Sequence, residues 1–105
     1  MAKKRVALSD GSGRWFSTDA SEYFKEETNH DGHNWISQAT GKQTEHEGLY
    51  RTTGGRFILH EWSQWQGSSD KYSEISNEAA AKWFAINDRE PHEACEKEFA
   101  DLEIK

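Results

Sequence analysis

The central stretch of the chain holds the side chains best suited to acid–base work. His46, His60, Glu45, Glu47, Glu61, Arg51 and Arg56 all fall between residues 45 and 61. Hydrolysis of a phosphodiester needs a general base, a general acid and a cation near the developing charge. Imidazole, carboxyl and guanidinium groups supply all three. Which of them can cooperate depends on how the segment folds. Glu45 to Thr53, the pair Gly54-Gly55, and Arg56 to Trp65 read as a long β-hairpin, because a two-residue Gly-Gly loop supplies the positive φ angles of a type I′ turn. That register sets Tyr50 opposite Leu59 and His46 opposite Ser63 on one face. It sets Arg51 opposite Ile58, Leu49 opposite His60 and Glu47 opposite Trp62 on the other. His46 and His60 are then separated, which leaves His60 with Glu47 and Arg51 as the catalytic grouping of a small hydrolase or nuclease. A one-residue slip would exchange every assignment. The competing expectation is a solvated face with cross-strand charge pairs.

Other constellations are weaker. His30-x-x-His33 and His92-x-x-Cys95 have ligand-like spacing, but zinc sites draw four N or S ligands. Cys95 falls on an apolar stripe and His92 at a helix start, so no metal is expected. Gly11-Ser12-Gly13 and Thr40-Gly41-Lys42 read as turns. Neither has the spacing of a phosphate loop or dinucleotide fingerprint, and no cofactor is expected. Trp62 and Trp65 with Arg51 and Arg56 could stack on single-stranded bases and hold phosphates. A net charge of -6 argues against broad nucleic-acid binding. Trp62 and Trp65 are three apart, so a regular strand turns one inward and one outward. The outward indole, flanked by Gln64 and Gln66, would anchor a protein contact.

The elements around the hairpin follow from local pattern. Arg5 to Leu8 and Arg14 to Ser17 read as short strands about the turn Ser9-Asp10-Gly11-Ser12-Gly13. Thr18 reads as an N-cap for a helix over Asp19 to Thr28, with Tyr23 and Phe24 toward the core. Trp35 to Ala39 and Lys71 to Ile75 read as short strands. Ser76 caps a helix running to about Asn87, whose Ala79, Ala80, Trp83 and Phe84 form a stripe at 3–4 spacing. Pro91 opens a last helix in which Cys95, Phe99 and Leu102 share a face. The expected fold is α+β: a mostly antiparallel sheet with a long central hairpin, one helix before it and two at the C-terminus.

Composition bounds the rest. The 105 residues suit one domain, with residues 1–4 as a flexible lead. No apolar run approaches the roughly 18 residues of a membrane helix, and the stretch after Lys3-Lys4-Arg5 is too short for a secretory signal. One cysteine rules out an internal disulfide and fits a reducing cytoplasm. Five Trp, five Phe and three Tyr point to a folded chain with a small aromatic core, since disordered chains are poor in aromatics. Residues 76–105 carry eight acids against four bases.

A longer pattern joins these pieces: Ile36-Ser37-Gln38-Ala39-Thr40-Gly41, then Glu45-His46-Glu47-Gly48-Leu49-Tyr50-Arg51-Thr52, then Gly55-Arg56, then Trp62-Ser63-Gln64-Trp65-Gln66-Gly67-Ser68. With Ala79-Ala80 and Trp83 it covers about residues 35–87. It resembles small bacterial proteins of no established activity that are often carried on plasmids, phages or genomic islands. The resemblance implies a bacterial cytoplasmic setting and an accessory or counter-defence role. It brings no catalytic residue with it.

The expectation drawn from all of this is a non-enzymatic module that binds another protein. Its contact residues would be Trp62, Gln64, Trp65 and Gln66 on the hairpin, or Glu93, Glu96 and Asp101 on the last helix. Carboxylates on a helix can repeat the charge of phosphates and occupy a partner's nucleic-acid groove. An exposed strand edge would also allow homodimerisation.

Overall fold

The computed structural model describes residues 5–30, 32, 35–42, 44–64 and 69–104; the expected flexible lead, residues 1–4, lies outside them. The order is β1 (Arg5–Ala7), β2 (Trp15–Ser17), β3 (Glu22–Lys25), β4 (Thr28–His30), β5 (Trp35–Ser37), β6 (Glu45–Arg51), β7 (Phe57–Ser63), β8 (Lys71–Ile75) and α1 (Asn77–Ile86). A 3₁₀ turn (Glu93–Cys95) then leads into α2 (Glu96–Asp101). The architecture is α+β, and every strand pair is antiparallel. A four-stranded sheet in the order β3-β6-β7-β8 forms the centre, and β1-β2 and β4-β5 are separate two-stranded hairpins.

The β6–β7 hairpin forms as the sequence indicates, but its register differs by one residue. Leu49 pairs with Leu59, Gly48 with His60, Glu47 with Glu61 and His46 with Trp62. The loop is Thr53-Gly54-Gly55, three residues and not two. The Gly55 N–H donates to the Thr52 carbonyl at 2.9 Å, and the Thr52 N–H donates to the Arg56 carbonyl at 2.8 Å. Gly55 takes φ +83, the left-handed residue that closes a type I turn with a bulge. This register puts Leu49, Phe57 and Leu59 on one face together, where α1 covers them. Tyr50, Ile58, His60 and Trp62 share the other face.

Both faces are therefore packed. Under the helices, Leu49, Phe57, Ala80, Ala81, Trp83, Phe84 and Cys95 form the main core, with Phe24, Leu59, Ile75 and Phe99 against it. On the opposite face the β1–β2 hairpin lays Leu8 and Phe16 over Ile58, beside Val6, Tyr50 and Tyr72. Helix α1 starts as expected, with Ser76 Oγ accepting the Ala79 N–H. It ends at Asn87, which is fully buried. The Asn87 side chain donates to the Trp83 carbonyl and accepts the Glu27 N–H, so the end of the helix is tied to the corner between β3 and β4.

Two expectations are corrected. No helix precedes the hairpin: residues 22–25 are an edge strand, with Tyr23 opposite Tyr50 and Phe24 opposite Leu49. The aromatic pair suits a pleated surface, and sheet pairing outweighs a local pattern of only moderate helix formers. Phe24 then faces the helices while Tyr23 faces away. The ring of Tyr23 lies directly over Gly48, in space that any β-carbon there would occupy. At the C-terminus, Pro91 stands outside the helix. Cys95 is buried, but Leu102 is 37 % exposed, so the apolar stripe ends at Phe99.

Candidate functional site

β3 pairs with β6 only as far as Gly48, and β8 pairs with β7 only as far as Glu61. The open end of the hairpin, Glu45–Glu47 with Trp62 and Ser63, therefore projects past its sheet neighbours. Side chains take over where strands stop. Glu26, just after β3, is buried. One carboxyl oxygen accepts the Glu47 N–H at 2.5 Å and the Ser37 hydroxyl at 2.8 Å. The other stands 2.6 Å from His46 Nδ1. A ring nitrogen facing a carboxylate donates to it, which leaves His46 Nε2 to accept from Gln64 Nε2 at 3.1 Å. The Trp62 indole stacks on the His46 ring at 4.3 Å between centroids, tilted by 25°.

A cavity of about 380 Å³ opens here, lined by Thr40, Glu45, His46, Glu47, Glu61 and Trp62, with Ser63, Ser69 and Lys71. Glu47 and Glu61 are direct cross-strand neighbours, a placement that is unfavourable for like charges. The Glu47 carboxyl titrates above its ordinary value. Burial is the main cause and the charge of Glu61 the second, with the nearby Trp83 indole N–H working in the opposite direction. That N–H closes no hydrogen bond among the described residues. Glu45 has its own partner in Lys42 at 2.8 Å. Among the described lining residues, Lys71 is the cation set against three carboxylates.

The residues singled out from sequence separate into four places. Trp62 is half-buried between His46 and His60 and forms a wall of the cavity, not a protruding anchor. Gln64 is exposed and reaches His46 Nε2. Trp65 and Gln66 lie outside the described residues. The grouping of His60 with Glu47 and Arg51 is not assembled. The three-residue loop turns His60 to the face opposite both, where its ring lies flat on Tyr72 at 4.6 Å and its Nε2 meets Asp70 at 2.9 Å. The same shift brings His46 and His60 onto one face, where the separated register had them apart. Arg51 lies over the Phe57 ring and donates to His92 Nδ1 at 3.2 Å. Glu93, Glu96 and Asp101 are exposed on the 3₁₀ turn and α2.

The metal-like pairs take structural roles. His92 caps the 3₁₀ turn by accepting the Ala94 N–H, and the Cys95 thiol donates to the His92 carbonyl. Burial pushes that thiol above its ordinary value. His30 accepts the Gly32 N–H, while His33 is outside the described residues. Among the described residues no group of three or more His, Cys, Asp or Glu could hold a metal ion. No helix is long and apolar enough to cross a membrane.

Glu26 and Ser37 were not visible as site residues. Glu26 sits on the polar side of the helix that the local pattern suggests, and nothing in the sequence links it to His46, twenty residues away. Comparison with protein-family models, with curated proteins and with solved structures finds no match to this chain.

Proposed function

We propose that the protein is a non-enzymatic interaction module that takes a basic segment of another protein into the open end of the β6–β7 hairpin. The observation that carries this is the facing pair Glu47 and Glu61 at the wall of a cavity about 380 Å³ in size. Two carboxylates held side by side in a half-buried wall repel each other. A guanidinium placed between them removes that repulsion and gains bidentate, charge-assisted hydrogen bonds. Trp62 lines the cavity from the other face of the hairpin, stacked on His46, and Gln64 is exposed beside it. The overall charge of -6 favours encounter with a basic partner. With the resemblance to mobile-element proteins, this reading makes the chain an accessory or counter-defence regulator acting on a bacterial protein.

The test is a titration of the intact chain with an arginine-containing peptide and with its arginine-to-glutamine counterpart. Saturable binding of the first, weakened about tenfold or more in Glu61→Gln, is expected. Equal binding of both peptides would overturn the reading. A pull-down with and without nuclease then identifies the partner, which must survive nuclease treatment.

A second reading, acid–base hydrolysis, is favoured by the buried Glu26–His46 contact of 2.6 Å. A carboxyl that orients an imidazole is the arrangement of a general base. It requires Gln64 to leave Nε2. Turnover of small ester or phosphodiester substrates that is lost in His46→Gln would establish it, and an inert wild-type chain would dismiss it.

A further inference from the structure

Another cavity lies at the other end of the same hairpin, and its chemistry is the reverse. It measures about 410 Å³ and is lined by β2, the turn after it, and the β6–β7 loop. Two guanidiniums line it, Arg14 and Arg56, and among the described lining residues there is no carboxylate. In a chain of net charge -6 this is a local inversion. Both arginines are largely exposed, and both reach Glu74 from the rim, Arg14 Nη2 at 2.7 Å and Arg56 Nη1 at 2.6 Å. One carboxylate thus faces two guanidiniums. Each guanidinium has five N–H donors in a fork, so most of this donor set is not used by Glu74.

A further observation points to a ligand. Trp15 lines the cavity and is 59 % exposed, although tryptophan is ordinarily well buried. The Arg5 guanidinium sits over its ring at 5.1 Å. An indole held in place this way is a stacking platform for a flat heterocycle.

We propose that this cavity binds a nucleoside monophosphate. The phosphate lies between Arg14 and Arg56, whose planar forks match phosphate oxygens. The base stacks on Trp15. The volume falls within the range of small-molecule sites. Compared with a carboxylate, a phosphate monoester offers more oxygens and more charge to two convergent guanidiniums. Glu74 stays in place and fixes the two arginines from the side.

The experiment is isothermal titration of the full chain with adenosine monophosphate, and separately with adenosine and with inorganic phosphate. One saturable site for the monophosphate is expected, with adenosine and phosphate each at least about tenfold weaker. Arg14→Gln and Arg56→Gln should each weaken the monophosphate about tenfold or more with melting temperature nearly unchanged, since both side chains are largely exposed. Trp15→Leu should weaken the monophosphate and leave the response to inorganic phosphate as it was. Absence of saturation, or binding that both arginine variants leave intact, would overturn the proposal. Phosphate binding as tightly as the monophosphate, or adenosine doing so, would overturn it as well, because then only half of the site is recognised. Glu61→Gln at the opposite cavity serves as a control that should not change the titration.

Discussion

The two ends of one hairpin solve the problem of charge in opposite ways. At the loop end Glu74 is flanked by Arg14 and Arg56, and these hydrogen bonds hold its carboxyl below the ordinary value. At the open end, three residues or roughly 10 Å further along β7, Glu47 faces Glu61 and its carboxyl is pushed up, mainly by burial. The same residue type in the same sheet thus binds its proton less or more tightly according to neighbours and solvent access. One end has surplus donors and the other surplus acceptors. Each imbalance is what a ligand of opposite charge would correct.

The largest effect is expected at the buried support of the acidic end. His46→Ala removes the partner of a buried carboxyl, and breaking such a pair costs about 3–5 kcal/mol. Urea denaturation should show that loss. If the variant unfolds at nearly the wild-type midpoint, Glu26 does not depend on the imidazole, and the open end is not held as described. Gly48→Ala is expected to cost about 1–3 kcal/mol, because the new methyl meets the Tyr23 ring and forces it aside. An unchanged melting temperature would show that the ring yields freely.

Glu61→Gln should have the opposite sign. It removes a like-charge neighbour and should stabilise the fold by up to about 1 kcal/mol, while weakening the arginine peptide. Gain in stability with loss of binding is the signature of a site. Stabilisation with unaltered binding would make the pair a mere defect.

The pH dependence of stability sharpens the contrast further. Glu47 keeps its proton to higher pH in the folded chain than in the unfolded one. Its contribution is fully present below the ordinary 4.5 and is lost as pH rises through the raised value. Glu74 behaves oppositely: its contribution is present above 4.5 and is lost as pH falls through its lowered value. Stability measured against pH should therefore change less steeply above 4.5 in Glu61→Gln and below 4.5 in Arg56→Gln, with burial of Glu47 and the remaining Arg14 beside Glu74 keeping part of each slope. Identical changes in both variants would contradict the assignment of the two ends.

The smallest effect is expected from reversing Glu93, Glu96 and Asp101 to Lys. These side chains are exposed, so stability should change by no more than about 0.5 kcal/mol. Peptide affinity should fall less than in Glu61→Gln. A larger fall would move the docking surface from the hairpin to α2.

Helix α1 was legible because its signals are local and agree: Ser76 as cap, then Ala80, Trp83 and Phe84 on one stripe. The hairpin was legible as an element, but its register was not. Thr53-Gly54-Gly55 serves a two-residue or a three-residue loop equally well, and what decides is the burial of Leu49 with Phe57 and Leu59 under α1, a contact between distant parts of the chain. The same kind of distant contact makes residues 22–25 a strand, where Phe24 meets Phe84 at 5.1 Å between rings. The acidic cavity was half legible. Glu47, Glu61 and Trp62 stood out by type, whereas Glu26 acquires its meaning only when β3 lies beside β6.

The hairpin loop has a consequence for heredity. Solvent-exposed loops are where lineages gain and lose residues at little energetic cost. In this chain the three residues between Thr52 and Arg56 count out which side chains of β7 meet the helices. Losing one codon there would send Phe57 and Leu59 to the face of Phe16 and bring His60 and Trp62 under α1, because the pleat alternates with every residue. Substitutions at Thr53 are therefore open to drift, while the length of the loop is closed to it.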